Sequence, residues 1–245
     1  MKLQAGQVSG ELLSDQGVNP LGRVTLFEDI DAAGHAAIEK LCAFNRYAAG
    51  EQIIDRDSDS RDVFFVVEGR VRVVLYSLSG REVTLDDLEA GNYFGQLAAL
   101  DGHPRSASVM ALESTLVATM RPAHFTAMLT EHPTIAMKVM LEFTRIIRAS
   151  TDRIMDLSTL GANNRVHAEL LRQARMVGAD RNNTARITPI PVHSDIASRV
   201  STTRETVARV LNDLARKKIV ERQKNALVIL DVQRLEDMVE EVRGE

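Results

Sequence analysis

From Pro133 to Leu160 nothing interrupts a helical pattern, and that run constrains the chain more than any other stretch. Proline suits the first turn of a helix, where its missing N–H would have no intrahelical partner. Spacings of four and three then pick out Ala136, Met140, Phe143, Ile147, Ser150, Ile154 and Leu157, with Ser150 the one polar member. A sustained 4-3 rhythm is the seam of a coiled coil that pairs two chains. A helix buried against its own domain is the alternative, and the rhythm favours the seam. The helix also divides the 245 residues into a part before it and a part after it, each long enough for a domain.

The part before it is punctuated by Gly50, Gly69, Gly80, Gly91, Gly95 and Gly102. Between these turns lie Val63–Val67, Val71–Tyr76, Glu82–Leu85 and Leu116–Met120, short β-branched runs that predict an all-β roll or barrel. The interior of such a roll can hold one small ligand. Residues 1–23 are polar and predict a flexible extension. A helical pattern is expected from Val24 to Phe44, with Leu26, Phe27, Ile30, Ile38 and Leu41 on it. Cys42 falls in this stretch and reads as a small buried hydrophobe. Within the glycine-rich region, a short apolar helix is predicted from Leu97 to Leu100, followed by a turn to Pro104 and then Arg105-Ser106. A helix N-terminus favours an anion, and an arginine can grip a phosphate with two parallel hydrogen bonds. On pattern alone, a purely structural turn is the competing reading. His103 reads as a solvated loop residue.

The part after it contains two short helical patterns separated by Ser201-Thr202-Thr203. Ile196, Ala197 and Val200 face inward on the first; Val207, Val210, Leu211 and Leu214 do so on the second. Two helices joined so closely make a helix-turn-helix, whose second helix enters a DNA major groove. Arg204, Glu205 and Arg209 lie outside the apolar set, where arginine can pair with guanine and glutamate can accept from cytosine. The plainer reading makes them solvated charges, with Thr202 and Glu205 at the spacing of a capping box. Gly161–Asn164 reads as a hinge, Arg165–Met176 as an amphipathic helix and Val177–Arg186 as a polar loop. Ile187–Ile190 and Ile219–Leu230 read as strands that would complete a winged helix, and Val232–Val242 as a charged terminal helix.

Charge supports this division. The net charge is −4, yet residues 161–245 hold 15 Lys and Arg against 12 Asp and Glu, leaving 15 against 22 for residues 1–160. The positive balance therefore sits on the half that would meet phosphates. No apolar run approaches the roughly 20 residues that span a bilayer, and no signal core opens the chain, so a cytoplasmic protein is expected. With a single cysteine, a Cys-ligated iron–sulfur sensor is excluded. No nucleophile elbow, Walker loop or His/carboxylate metal spacing is present, which argues against an enzyme.

The segment Arg204-Glu205-Thr206-Val207-Ala208-Arg209 resembles the recognition helix of the cyclic AMP receptor protein branch of the CRP/FNR transcription regulators. In that branch an Arg-Glu-x-x-x-Arg pattern reads TGTGA-type half-sites, which assigns Thr203, Arg204, Glu205 and Arg209 to DNA. Ser201 stands where the family often has glycine, and Arg199 at an apolar position of the first helix. The loop Phe94-Gly95-Gln96-Leu97-Ala98 and Arg105-Ser106-Ala107 resembles the phosphate-binding cassette of cyclic nucleotide-binding domains. The resemblance assigns Gly95, Gln96, Leu97, Ala98, Arg105 and Ser106 to the effector. Gln96 stands where the family usually has a glutamate bonding the ribose, a neutral acceptor in place of a carboxylate. Ser150-Thr151 is similar to a Thr-Ser pair of the central helix that contacts the adenine from both subunits, with the two residue types exchanged. A polar residue that merely sets the register of a seam is the other reading of Ser150.

The resemblance covers roughly residues 24–230 and implies an α+β architecture. Residues 24–132 are expected to form a cyclic nucleotide-binding β-roll, 133–160 a central dimerisation helix and 161–245 a winged helix-turn-helix. The implied protein is a homodimer that binds double-stranded DNA and cAMP or cGMP, with RNA polymerase as a further partner and no cofactor beyond the effector. A DNA-binding regulator with a different effector, or none, is the alternative.

Overall fold

The computed structural model describes residues 6–8 and 19–243. They divide into two compact bodies. One comprises the chain up to Tyr76 together with Thr84–Thr144; the other comprises Ser77–Val83 together with the chain from Arg145.

The first body is built on two sheets. One contains, in spatial order, β1 (Gly6–Val8), β2 (Cys42–Tyr47), β9 (Thr115–Met120), β4 (Val63–Glu68) and β7 (Tyr93–Phe94). The other contains β3 (Gln52–Ile54), β8 (Ser108–Ala111), β5 (Arg70–Tyr76) and β6 (Glu82–Glu89). Strand period 2 sends alternate residues to opposite faces, and β4 is buried on both. Val63, Phe65 and Val67 join Phe27, Ile38, Met120 and Phe125 in one core. Phe64 and Val66 join Ile54, Val71, Phe94, Val109 and Val117 in a second, the interior of the roll. That double burial is why β4 reads as an unbroken apolar run.

Several expectations are corrected here. Gly6–Val8 is a strand, with Gly6 opposite Arg46, within what was expected to be a flexible extension. Leu21, just before the expected start of the domain, is fully buried. The rest of that extension, residues 1–5 and 9–18, lies outside the described residues. Of the helical pattern expected over Val24–Phe44, only α1 (Ala32–Glu39) is an α-helix, preceded by a 3-10 turn at Thr25–Phe27. Asp31 caps α1 by accepting from Gly34 N at 2.8 Å. Cys42 therefore stands on a strand, opposite Met120, because Cys42–Tyr47 gains a full ladder with β9 that no further helical turn could offer. Burial pushes its thiol up to about 12, with Glu39 adding to the shift.

After α2 (Gln96–Asp101) and α3 (Pro122–Glu131), α4 runs unbroken from Pro133 to Thr159. Its early turns close the first body through Ile135 and Val139, both almost fully buried. The expected seam is largely left in the open. Met140 is 52% exposed, Ile147 65%, Ile154 64% and Leu157 41%, whereas Phe143 packs against the first body's core.

In the second body, α5 (Ala162–Val177), α6 (His193–Arg199), α7 (Arg204–Arg216) and α8 (Val232–Arg243) surround one core with the sheet β10 (Ala185–Ile187), β12 (Leu227–Ile229), β11 (Val220–Arg222). The break after α4 is shorter than the expected hinge. Gly161 is already the N-cap of α5, so Ala162–Asn164 is helical. Leu170, Ile196, Leu214, Ile219, Ile229 and Leu235 are fully buried in this core. Residues Val232, Leu235 and Val239, spaced by three and four, dock α8 despite its charge.

One buried base belongs to this core. His167 on α5 is 8% exposed, and its Nδ1 has no hydrogen-bond partner. Burial holds the imidazole below its ordinary value of 6.5, with Lys217 acting in the same sense and Asp213 against it. The unfolded chain therefore binds the proton more readily, and stability is full above pH 6.5 and falls as pH drops through the depressed folded value. Denaturant titrations between about pH 7 and pH 5 should show that decline, and His167→Gln should flatten it. An equal slope in both proteins would exclude His167 as the source.

Candidate effector pocket and nucleic-acid interface

The candidate site of the first body begins where Phe64 of β4 pairs with Phe94 of β7, their rings stacked 5.1 Å apart. Gly95 follows with φ +86, in the left-handed region that glycine enters without steric cost. A Cβ there would stand 2.8 Å from both Arg105 Nη1 and the Asp62 carbonyl oxygen. The backbone of Gly95 thus lies directly against the guanidinium. Arg105 is 4% exposed and lies over the Phe64 ring at 5.7 Å. Its Nη1 donates to Gly95 O at 3.0 Å, and Nη2 donates to Asp62 O at 2.9 Å. Nε and Nη2 both donate to Ser60 Oγ, at 3.3 and 3.1 Å. Burial lowers the Arg105 pKa, and the Asp62 charge opposes that shift.

The structure therefore brings Gly95 and Arg105 together. Gln96 and Ala98, on the first turn of α2, are buried, while Leu97 is 42% exposed and Ser106 is exposed. Ser150 and Thr151 lie on the exposed face of α4, and Thr151 Oγ donates back to Ile147 O at 3.0 Å. Ser60, Asp62 and Phe64 also surround the guanidinium, and the sequence motifs do not point to them. They stand more than 40 residues from Arg105, and no local pattern marks them.

In the second body, the turn between α6 and α7 explains its own sequence. Val200 ends α6, Ser201 takes φ +51, and Thr202 N reaches back to Ala197 O at 3.0 Å. That is the Schellman arrangement, whose left-handed residue is usually glycine. Ser201→Gly should stabilise this body by about 1 kcal/mol, since the left-handed strain of a residue with a Cβ is relieved. Denaturant unfolding would read the gain, and an unchanged midpoint would show that the turn is not strained.

Thr203 is the N-cap of α7, accepting from Thr206 N at 3.2 Å. The capping-box spacing of Thr202 and Glu205, the plainer alternative, is not used: the cap is Thr203, and Thr202 N closes α6 instead. Glu205 is held below the usual carboxylate range by its own backbone N–H, the Thr203 hydroxyl and Arg204. Arg204, Glu205 and Arg209 are exposed, while Val207, Val210 and Leu214 on the opposite side are buried. Arg199 is accommodated by a buried acid, since Glu169 of α5 lies 4.0 Å from it and also pairs with Arg172. β11 and β12 form the wing beside this pair of helices.

Comparison with known proteins meets both sites. Residues 44–132 match the cyclic nucleotide-binding domain, and residues 164–238 match the Crp-like helix-turn-helix domain. A CRP-like cAMP-activated global transcriptional regulator of Mycobacterium tuberculosis is 23% identical over 88% of this chain and 96% of its own. A cyclic AMP receptor protein of Thermus thermophilus is 29% identical over 78% of this chain and 86% of its own. A solved structure of a CooA mutant from Carboxydothermus hydrogenoformans superposes with a TM-score of 0.78 at 24% identity, covering 88% and 95% of the two chains. At that identity the likeness shows the fold. With the nucleotide-binding roll, the helix-turn-helix and relatives that are regulators rather than enzymes, the chain belongs to the CRP/FNR family of cyclic nucleotide-binding, DNA-binding transcription regulators.

Proposed function

We propose that this chain is a cytoplasmic homodimeric regulator that reads TGTGA-type palindromic DNA when cAMP or cGMP occupies the roll. The observation that carries the effector reading is Arg105. It is a buried cation whose four hydrogen bonds end on neutral oxygens, those of Ser60, Asp62 and Gly95. A buried charge without a partner of opposite sign at hydrogen-bond distance is costly, and an arriving phosphate would offset that cost. Relatives named as a cAMP-activated regulator and as a cyclic AMP receptor support the same ligand. Ser150 and Thr151 are the residues expected to meet the base. The exposed apolar seam of α4 supports pairing of two chains, which would present two recognition helices about 34 Å apart. The exposed loop between α5 and β10 is the surface expected to touch RNA polymerase.

In this mechanism the nucleotide favours one orientation of the recognition helices, and a near-complete switch needs about 5.5 kcal/mol of preferential binding. A second reading rests on Gln96. With a neutral side chain buried at that position, the roll would take another effector or act without one. Calorimetric titration with cAMP and with cGMP, each with and without a TGTGA palindrome, separates the two. Nucleotide binding that tightens on adding DNA supports gating, because linkage acts in both directions. Arg105→Ala should lose about 2–3 kcal/mol of nucleotide affinity, the worth of a charge-assisted contact, while ligand-free DNA affinity stays as it was. Normal nucleotide binding by that variant would end the cassette assignment. Duplex binding with no heat from either nucleotide would favour the second reading.

A further inference from the structure

The two edges of the Arg105 guanidinium are occupied by different kinds of oxygen. A guanidinium grips a phosphate through a pair of parallel N–H groups. In this structure the terminal nitrogens, Nη1 and Nη2, face the backbone carbonyls of Gly95 and Asp62. Both belong to the framework, one at the junction of β7 and α2 and the other just before β4. The side edge, Nε and Nη2, is covered by a single neutral oxygen, Ser60 Oγ. Its bonds of 3.3 and 3.1 Å are long beside the roughly 2.7–2.9 Å of an arginine–anion pair. Ser60 is itself exposed, on the segment Asp55–Asp62 between β3 and β4.

The hydroxyl protons give this contact a direction. Ser58 Oγ donates to Asp55 O at 2.7 Å, so the 3.2 Å link between the two serines uses the proton of Ser60. Ser60 therefore turns its lone pairs to Arg105 and its proton to Ser58. The chain Arg105–Ser60–Ser58–Asp55 ties the β3–β4 segment to the cassette arginine.

We infer that the Ser60 hydroxyl is a built-in competitor for the phosphate edge of Arg105, displaced when an anionic effector binds. Resting on the nucleotide reading above, this makes Ser60 a determinant of effector affinity and makes the β3–β4 segment the first part of the roll to register occupancy. The backbone carbonyls stay and hold the guanidinium plane, while the phosphate takes the place of the hydroxyl and releases the serine chain.

The test is calorimetry of the full chain with cAMP and with cGMP, using wild type, Ser60→Ala and Ser60→Asp. Ser60→Ala removes the competitor and should tighten nucleotide binding by about tenfold, the equivalent of one modest hydrogen bond. Ser60→Asp supplies a carboxylate that the same edge grips as an ion pair, and should weaken binding by about a hundredfold or more. In wild type, amide exchange over Arg56–Arg61 should accelerate when nucleotide is added. Unchanged or weaker binding by Ser60→Ala, wild-type affinity in Ser60→Asp, or unaltered exchange would each overturn the inference while leaving the nucleotide reading in place. No heat from wild type with either nucleotide would overturn the reading, and this inference with it.

Discussion

Gly95→Ala is expected to lower the stability of the roll by about 3 kcal/mol and to weaken nucleotide binding by about a hundredfold. Two costs combine. With φ at +86, any side chain pays the left-handed penalty. The new Cβ would also stand 2.8 Å from Arg105 Nη1 and from Asp62 O, closer than real Cβ contacts come. The Asp62 oxygen is backbone at the start of β4 and yields little, so the guanidinium must move. Once displaced, it loses the Gly95 carbonyl and the plane over Phe64 that now orient it. Calorimetry and denaturant unfolding read the two effects separately. Combining Gly95→Ala with Arg105→Ala should recover part of the lost stability, since one of the two clashes disappears and the residues are in contact. Nucleotide affinity equal to wild type in Gly95→Ala would mean that this backbone approach plays no part in effector binding.

Arg204→Ala together with Arg209→Ala should remove most discrimination between a TGTGA palindrome and unrelated duplex. Each arginine is exposed on α7, opposite the buried Val207, Val210 and Leu214. Truncating either therefore removes no core packing. A good bidentate contact to guanine is worth about 1–3 kcal/mol of discrimination, so the pair should cost about 2–6 kcal/mol on the specific site. Affinity for unrelated DNA, carried by phosphate contacts, should change much less. Fluorescence anisotropy with both duplexes over a series of salt concentrations distinguishes the two losses, because phosphate contacts set the salt slope. Equal losses on both duplexes would make these arginines phosphate contacts, and no loss on either would remove α7 from the interface.

Where structure depends on near neighbours, the sequence shows it directly. The faces of α6 and α7 follow from apolar spacing within a few turns, and the residues the spacing picks out are buried except Leu211, which is half-buried against the same core. Pro133 and an unbroken apolar rhythm located α4 to within a residue. The strands β4, β5, β6 and β9 are legible as short β-branched runs bounded by turn residues. β2, β3, β7 and β8 were not. Cys42–Tyr47 carries Asn45 and Arg46 in its middle, and only its ladder with β9 makes it a strand.

Sequence by itself determined the family, the two matched domains and which residues are proposed for phosphate and for DNA, because motif spacing and side-chain periodicity are properties of neighbours along the chain. Tertiary structure alone decided what those residues touch. Ser60 and Asp62 reach Arg105 across 45 and 43 positions, Glu169 balances Arg199 from another helix, and Thr203 caps α7 while Thr202 N closes α6. Each of these contacts depends on where the chain returns in space. Hydrogen bonds and ion pairs act over a few ångströms, and the distance along the chain says nothing about which groups will come that close.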